Sequence, residues 1–157
     1  MIEAYESKDR PLAYSAPRQY GLSQEHKHLK EMQKICSLRT APVFCPIVAD
    51  YYCGMLVTVP LHRSQLNADF SKNEIVEIYR ASYHGPVVKF VDSLDQNGMA
   101  DANDLAGKDK MLISMSGNED RFILMAQFDN LGKGASGAAV QCMNIMLGLD
   151  PLSGLVI

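Results

Sequence analysis

A predicted β-hairpin in the second half of the chain places the strongest constraint on its fold. β-forming residues fill 110–116 and 121–128, and the four residues between them, Gly117–Asp120, are typical of a turn. Three further segments are predicted strands: 41–48, 54–62 and Val87–Val91. Pro46 favours an edge position for the first of these. Because strands outnumber βαβ units, we expect an α+β fold with a mixed, mainly antiparallel sheet and helices over one face.

Helices are predicted where a capping residue precedes apolar residues at helical spacing. Ser71 and Glu74 form a capping box, which predicts a helix that ends near Gly85. A second helix is predicted from Ser23, which can act as its cap. A third is predicted to follow the glycine-rich segment 130–140 and to end at Gly148. The chain opens on residues typical of a helix end, without a cap before them, so we expect a cut made inside a longer protein.

Charge and cysteine content exclude several classes of function. The net charge is −3 and the basic residues are scattered, so nothing forms the basic surface of a nucleic-acid-binding protein. No apolar stretch approaches the roughly 20 residues of a membrane span, and the charged start is unlike a signal peptide. The four cysteines show no metal-ligand spacing, so we expect free thiols, no bound metal and a reducing cytoplasm.

The first candidate site is the segment 25–32, which carries two histidines, two lysines and two carboxylates. A positioned histidine can exchange a proton near neutral pH. His28 and Glu31 share a helix face, whereas His26 can meet Glu31 only if it lies just before the helix. Lys27 supplies a positive charge for an anionic substrate. Residue types alone favour a different interpretation, a solvated and charged helix start.

The second candidate site is the segment Asp129–Gly137, between a predicted strand and a predicted helix. Its glycines permit close backbone approach, and a helix N-terminus offers free N–H groups to an anion or a polar ring. The spacing matches neither a P-loop nor a complete dinucleotide-binding unit, since no second strand and acidic residue follow. Residue types alone favour a small-residue helix packed tightly against a neighbour.

The third candidate site is the segment Phe44–Gly54. Asp50, Tyr51 and Tyr52 can line a pocket, and Tyr52 is our candidate for a substrate contact, although turn chemistry alone explains an Asp and a Gly there. Cys45 and Cys53 have no neighbouring cation or capped helix start. We therefore expect both thiols to be packing groups rather than nucleophiles.

In order and spacing these segments resemble N-acetyl-γ-glutamyl-phosphate reductase, over nearly the whole chain. The resemblance is carried by Tyr20-Gly-Leu with His26–Glu31, by Ala41–Pro46, and by Asp129–Gln141 continuing into Met143–Gly148. It implies a glyceraldehyde-3-phosphate dehydrogenase-like C-terminal domain in residues 1–129, which serves substrate binding and dimerisation. It also implies that residues 130–157 form a helix that packs on an NADP-binding domain outside the chain.

The resemblance implies an enzyme of arginine biosynthesis that converts N-acetyl-glutamyl 5-phosphate to the 5-semialdehyde and phosphate. In that family a cysteine thiolate attacks the acyl phosphate, phosphate leaves, and NADPH reduces the thioester. His26 matches the family's histidine, which acts as base and then as acid, and His28 and Glu31 match its neighbours. Asn130 and Gly132 match the turn that faces the nicotinamide end of the cofactor.

The chain also departs from the family pattern. The Pro-Gly-Cys turn of the nucleophile and the glycine-rich dinucleotide fingerprint have no counterpart, and Cys53 stands where many members carry a basic residue. We therefore expect part of a catalytic site, inactive alone, in a homo-oligomer that binds a small molecule. Two alternatives are a non-catalytic module that complements or regulates a separate nucleotide-binding chain, and a related domain such as that of aspartate-semialdehyde dehydrogenase. The His-Lys-His and Asn-Leu-Gly-Lys-Gly segments disfavour the second.

Overall fold

A computed structural model describes residues 2–157, which fall into two compact units. The first unit reaches to Tyr51 and the second runs from Tyr52 to Ile157. The first contains helices α1 (Ile2–Glu6) and α2 (Lys27–Ile35). It also contains a small antiparallel sheet of β1 (Arg18–Gln19) and β2 (Ile47–Val48). The strand predicted over 41–48 is therefore much shorter than expected and begins after Pro46.

Helix α2 starts three residues later than predicted, because the residues after Ser23 are held in another conformation. Gln24 adopts a left-handed backbone with φ of 57°. Its side-chain amide also binds both backbone groups of Phe44, accepting the N–H at 2.9 Å and donating to the carbonyl at 2.7 Å. The helix can begin only beyond this contact, and its N-cap is His26 rather than Ser23.

The second unit is built on a four-stranded sheet, with the order β3-β6-β5-β4. Its strands are β3 (Met55–His62), β4 (Val88–Phe90), β5 (Met111–Gly117) and β6 (Arg121–Phe128). Strands β3, β6 and β5 pair antiparallel, while β4 pairs parallel with β5. The predicted hairpin and the mixed, mainly antiparallel sheet are both confirmed.

Helix α3 (Lys72–Ser82) covers one face of this sheet. Its predicted capping box is present, with Ser71 Oγ accepting from Glu74 N–H and the Glu74 carboxylate accepting from Ser71 N–H. Ile75 packs with Phe90, Met115 and Phe122 in the core, and burial of such a side chain stabilises the fold by about 1.5–3 kcal/mol. The α+β class is therefore confirmed in its layers as well as in its order of elements.

After β6 the chain enters a π-helical turn, Gly132–Ser136, and then helix α4 (Gly137–Met146). The residues that follow return along α4, where Asn144 Nδ2 donates to the Ser153 carbonyl at 2.8 Å. Four large apolar side chains near the end of α4 are exposed: Met143, Ile145, Met146 and Leu147. The predicted packing of residues 130–157 on a domain outside the chain stays a prediction. No helix in residues 2–157 has the length and hydropathy needed to cross a membrane.

Candidate functional site

In the first unit, the ring of His26 is bound to the start of α2. His26 Nδ1 accepts the backbone N–H of His28 at 3.3 Å, which satisfies one of the unpaired donors of the first helical turn. Nδ1 can accept only while it carries no proton, so this hydrogen bond assigns the proton of a neutral His26 to Nε2. Nε2 is therefore the atom left for a bound molecule.

Three aromatic rings surround the imidazole of His26. Its centroid lies 4.6 Å from that of His28, 5.1 Å from Phe44 and 6.1 Å from Tyr20, in edge-on or tilted arrangements. These contacts leave His26 half-buried and restrict the rotation of its ring. Phe44 and Tyr20 belong to the segments that carried the family resemblance, but their contact with His26 was not predicted.

Glu31 is paired with His28. Glu31 Oε2 lies 4.0 Å from His28 Nε2, with side-chain exposures of 68% and 46%. The predicted shared helix face of the two residues is thus confirmed, although a contact this long and this exposed contributes little stability. Among the described residues, Glu31 has no ion pair with His26. Lys27 is the exposed first residue of α2. The catalytic and substrate-binding roles of these four residues stay predictions.

In the second unit, Asp129 is a buried carboxylate, 2% exposed, at the end of β6. Its Oδ1 accepts the N–H groups of Leu131 at 2.7 Å and Gly132 at 3.2 Å, and its Oδ2 accepts that of Gly107 at 2.6 Å. Burial alone would raise the pKa of Asp129, but these backbone donors outweigh it and hold the pKa below its usual range. Asp129 is therefore an anion inside the fold.

Asn130, the next residue, spans the gap to the start of β3. Its Oδ1 accepts the backbone N–H of Gly54 at 2.7 Å. In the part of the chain that the structure describes, no hydrogen-bond acceptor faces Asn130 Nδ2, and the residue is half-buried. Its amide therefore presents two N–H donors with a defined orientation.

The glycine-rich segment is packed as tightly as residue types alone suggested. A Cβ on Gly132 would lie 2.7 Å from the carbonyl oxygen of Lys108, and one on Gly137 would overlap the Asp109 carboxylate. The packing interpretation of these glycines is confirmed. Gly132's role toward a cofactor stays a prediction.

The prediction that this helix start offers free N–H groups is wrong for the residues nearest the strand. The N–H groups of Leu131 and Gly132 donate to the Asp129 carboxylate, and that of Gly134 donates to the Asp129 carbonyl at 2.8 Å. A buried acidic side chain has taken the place predicted for a ligand. An anion is therefore not bound by these groups.

Cys53 is half-buried. Burial raises its pKa, and the negative charge of the nearby Asp129 carboxylate raises it further. The raised pKa agrees with the prediction that Cys53 is not a nucleophile, and its role as a packing residue stays a prediction. The same prediction is wrong for Cys45, which is exposed. No cluster of three or more His, Cys, Asp or Glu side chains suited to a metal ion occurs in residues 2–157.

Two residues of the third candidate segment differ in their surroundings. The Asp50 carboxylate binds the Arg10 guanidinium at 2.5 Å, and this contact lowers the pKa of Asp50. Asp50 is thus committed to an ion pair within the first unit. Tyr52 is 84% exposed at the start of the second unit, and its predicted contact with substrate stays a prediction.

Comparison with known families supports the resemblance seen in the sequence. The family model described as semialdehyde dehydrogenase, dimerisation domain, matches residues 3–130, which include the segment 26–31 and end at Asn130. The chain is similar to the N-acetyl-gamma-glutamyl-phosphate reductases of Brucella ovis, Brucella canis and Brucella abortus, each 42% identical over 134 residues. The match covers 82% of this chain and 43% of each relative. The chain therefore spans less than half the length of these relatives.

Proposed function

The chain belongs to the semialdehyde dehydrogenase family through its dimerisation domain, and from this we propose that it supplies the substrate side of an N-acetyl-γ-glutamyl-phosphate reductase. The proposed reaction reduces N-acetyl-glutamyl 5-phosphate to the 5-semialdehyde and phosphate, a step of arginine biosynthesis. The observation that carries the proposal is the His26 segment, which lies within the matched residues and leaves Nε2 free.

His26 is proposed to hydrogen-bond the reacting acyl group and to exchange its proton. In the neutral form set by the helix cap, Nε2–H donates to the oxygen on which negative charge develops. To accept a proton at Nε2, His26 must release the N–H of His28, because Nδ1 then carries the other proton. Proton transfer at this residue is thereby coupled to the first turn of α2.

The neighbours of His26 are proposed to bind the substrate. The substrate carries a phosphate and a carboxylate, and Lys27 places a positive charge at the start of α2. His28, oriented by Glu31 at 4.0 Å, supplies a second donor. The exposed phenol of Tyr52 is a further candidate contact.

NADPH, when bound, supplies the hydride that reduces the acyl group. The residues present can contact only a small part of NADPH. Asn130 Nδ2 is an unpaired donor suited to the oxygen of the nicotinamide carboxamide. The loop at Lys108 occupies the space where a Cβ of Gly132 would lie, so this space is closed to a cofactor. Gly132 is therefore proposed to contact the cofactor through its backbone. Most of the cofactor is proposed to bind a separate nucleotide-binding domain.

Two protein partners are proposed. The exposed apolar residues of α4 are proposed to pack on the nucleotide-binding domain. A second copy of the chain is proposed to pack on the second unit, whose β3 exposes Met55, Val57 and Val59 along one face. The cytoplasm is the proposed location, and the four free cysteines suit its reducing conditions.

Hydrogen exchange tests the proposed packing of α4. In a monomeric sample of the chain, the amides of 134–147 are expected to exchange faster than those of β6, because the helix buries only Gly137 and Asn144. Adding a nucleotide-binding domain should slow the helical amides and leave those of β6 unchanged. Equal protection of helix and strand in the monomer would contradict the proposal.

Complementation tests the proposed function. The chain is mixed with a Brucella ovis reductase from which the matched segment has been deleted, and NADPH absorbance is followed with N-acetyl-glutamyl phosphate. Turnover that requires both proteins is expected. If the two proteins form a complex that shows no turnover, the chain acts instead as a non-catalytic module.

A further inference from the structure

Asp129 is a buried charged group that the proposed reaction does not use. Within residues 2–157 no Lys, Arg or His pairs with it, and its hydrogen bonds come from backbone N–H groups. A buried carboxylate without a cation is costly to keep. An ordinary turn at the end of β6 would need only a neutral Asn or Ser.

The two oxygens of Asp129 bind different segments of the chain. Oδ1 holds the turn at Leu131 and Gly132, whereas Oδ2 holds the loop at Gly107. An Asn at this position has only one acceptor oxygen and cannot bind both segments. The carboxylate is thus the one side chain of this size that can connect the turn to the loop.

Asn130 lies directly within this arrangement. The β3–β6 ladder ends at the pair Met55 and Phe128, and side-chain contacts replace it beyond that point. The Asp129 carboxylate accepts the N–H groups of Leu131 and Gly132, and Asn130 Oδ1 accepts the N–H of Gly54 at 2.7 Å. The residues on both sides of Asn130 are therefore fixed. Because Asn130 Oδ1 is also bound, the direction of its free Nδ2 donors is set by these contacts.

We infer that Asp129 is a positioning residue, which holds the side-chain amide of Asn130 in the orientation that receives the carboxamide of a nicotinamide cofactor. The inference rests on the proposed function for its ligand, but its structural part concerns this chain alone. Asp129 acts through Asn130 and makes no contact with substrate or cofactor itself.

Hydrogen exchange of the Gly54 amide in the chain tests the structural part. In Asp129→Asn this amide is expected to exchange at least tenfold faster relative to the amides of β6, because Asn130 Oδ1 no longer holds it. Asp109→Asn is the matched control, since it removes a carboxylate that packs on Gly137 and binds the Val156 N–H but does not touch Asn130. A Gly54 amide that stays equally protected in Asp129→Asn overturns the inference.

A measurement on the unsubstituted chain covers the case in which Asp129→Asn does not fold. The side-chain NH2 of Asn130 is expected to be nearly as rigid as the backbone of β6, with an NMR order parameter of about 0.85, because Asp129 fixes the adjoining turn and Gly54 binds Asn130 Oδ1. An order parameter below about 0.6 would show that the amide is not held in one orientation and would overturn the inference.

Cofactor affinity in the complemented reductase tests the functional part. Asp129→Asn is expected to raise the Kd for NADPH about tenfold and to leave the KM for the acyl phosphate unchanged. In an Asn130→Ala background the same substitution is expected to have little further effect, because both residues act on one contact. Additive effects would overturn the inference. If complementation yields no reductase, the proposed function fails, and the Gly54 exchange still decides the role of Asp129.

Discussion

The purified chain, without any other protein, is expected to leave NADPH unoxidised in the presence of N-acetyl-glutamyl phosphate. The proposed chemistry needs a reactive thiolate, and Cys53 does not provide one, because burial and the Asp129 carboxylate raise its pKa. Residues 2–157 also contain no parallel βαβ unit of the kind that binds a dinucleotide. Enzymes typically accelerate reactions by 10⁶-fold or more, and we expect essentially all of that to be missing.

The measurement is NADPH absorbance at high protein concentration. The Brucella ovis reductase in the same assay is the positive control, and an assay without protein gives the spontaneous loss of the acyl phosphate. NADPH oxidation that scales with the concentration of the chain alone would contradict the prediction. It would then show that one of the four cysteines, or another route, supports reduction.

Much of the fold could be predicted, because its strongest signals are local. The β5–β6 hairpin follows from two β-forming runs and a four-residue turn, and α3 follows from the Ser71–Glu74 capping box. The predicted start of α2 was wrong, because it depends on a contact between residues that are far apart in the sequence. Gln24 is fixed by a contact with Phe44, which lies 20 residues away in the sequence.

The candidate sites divide in the same way. The pair of His28 and Glu31 follows from helical spacing and was predicted. Asp129 was overlooked as a functional group, although an Asp directly after a strand and before small residues is a recognised turn signal. Its partner at Gly107 lies in a loop 22 residues earlier, so the full set of donors becomes visible only in the folded chain.

The His26→Asn substitution is expected to lower the turnover of the complemented reductase by roughly 10²–10⁴-fold, the usual contribution of a general acid–base group. Asparagine is among the best N-cap residues, so the variant keeps an acceptor for the first turn of α2 while it loses Nε2. Folding and catalysis are thereby separated, and the melting temperature of the chain should change little.

His28→Asn is the matched control on the same helix turn, and it is expected to raise the KM for the acyl phosphate more than it lowers kcat. The reverse pattern would assign the proton transfer to His28, whose Nε2 lies 4.0 Å from the Glu31 carboxylate, and would leave His26 as the residue that caps the helix and binds substrate.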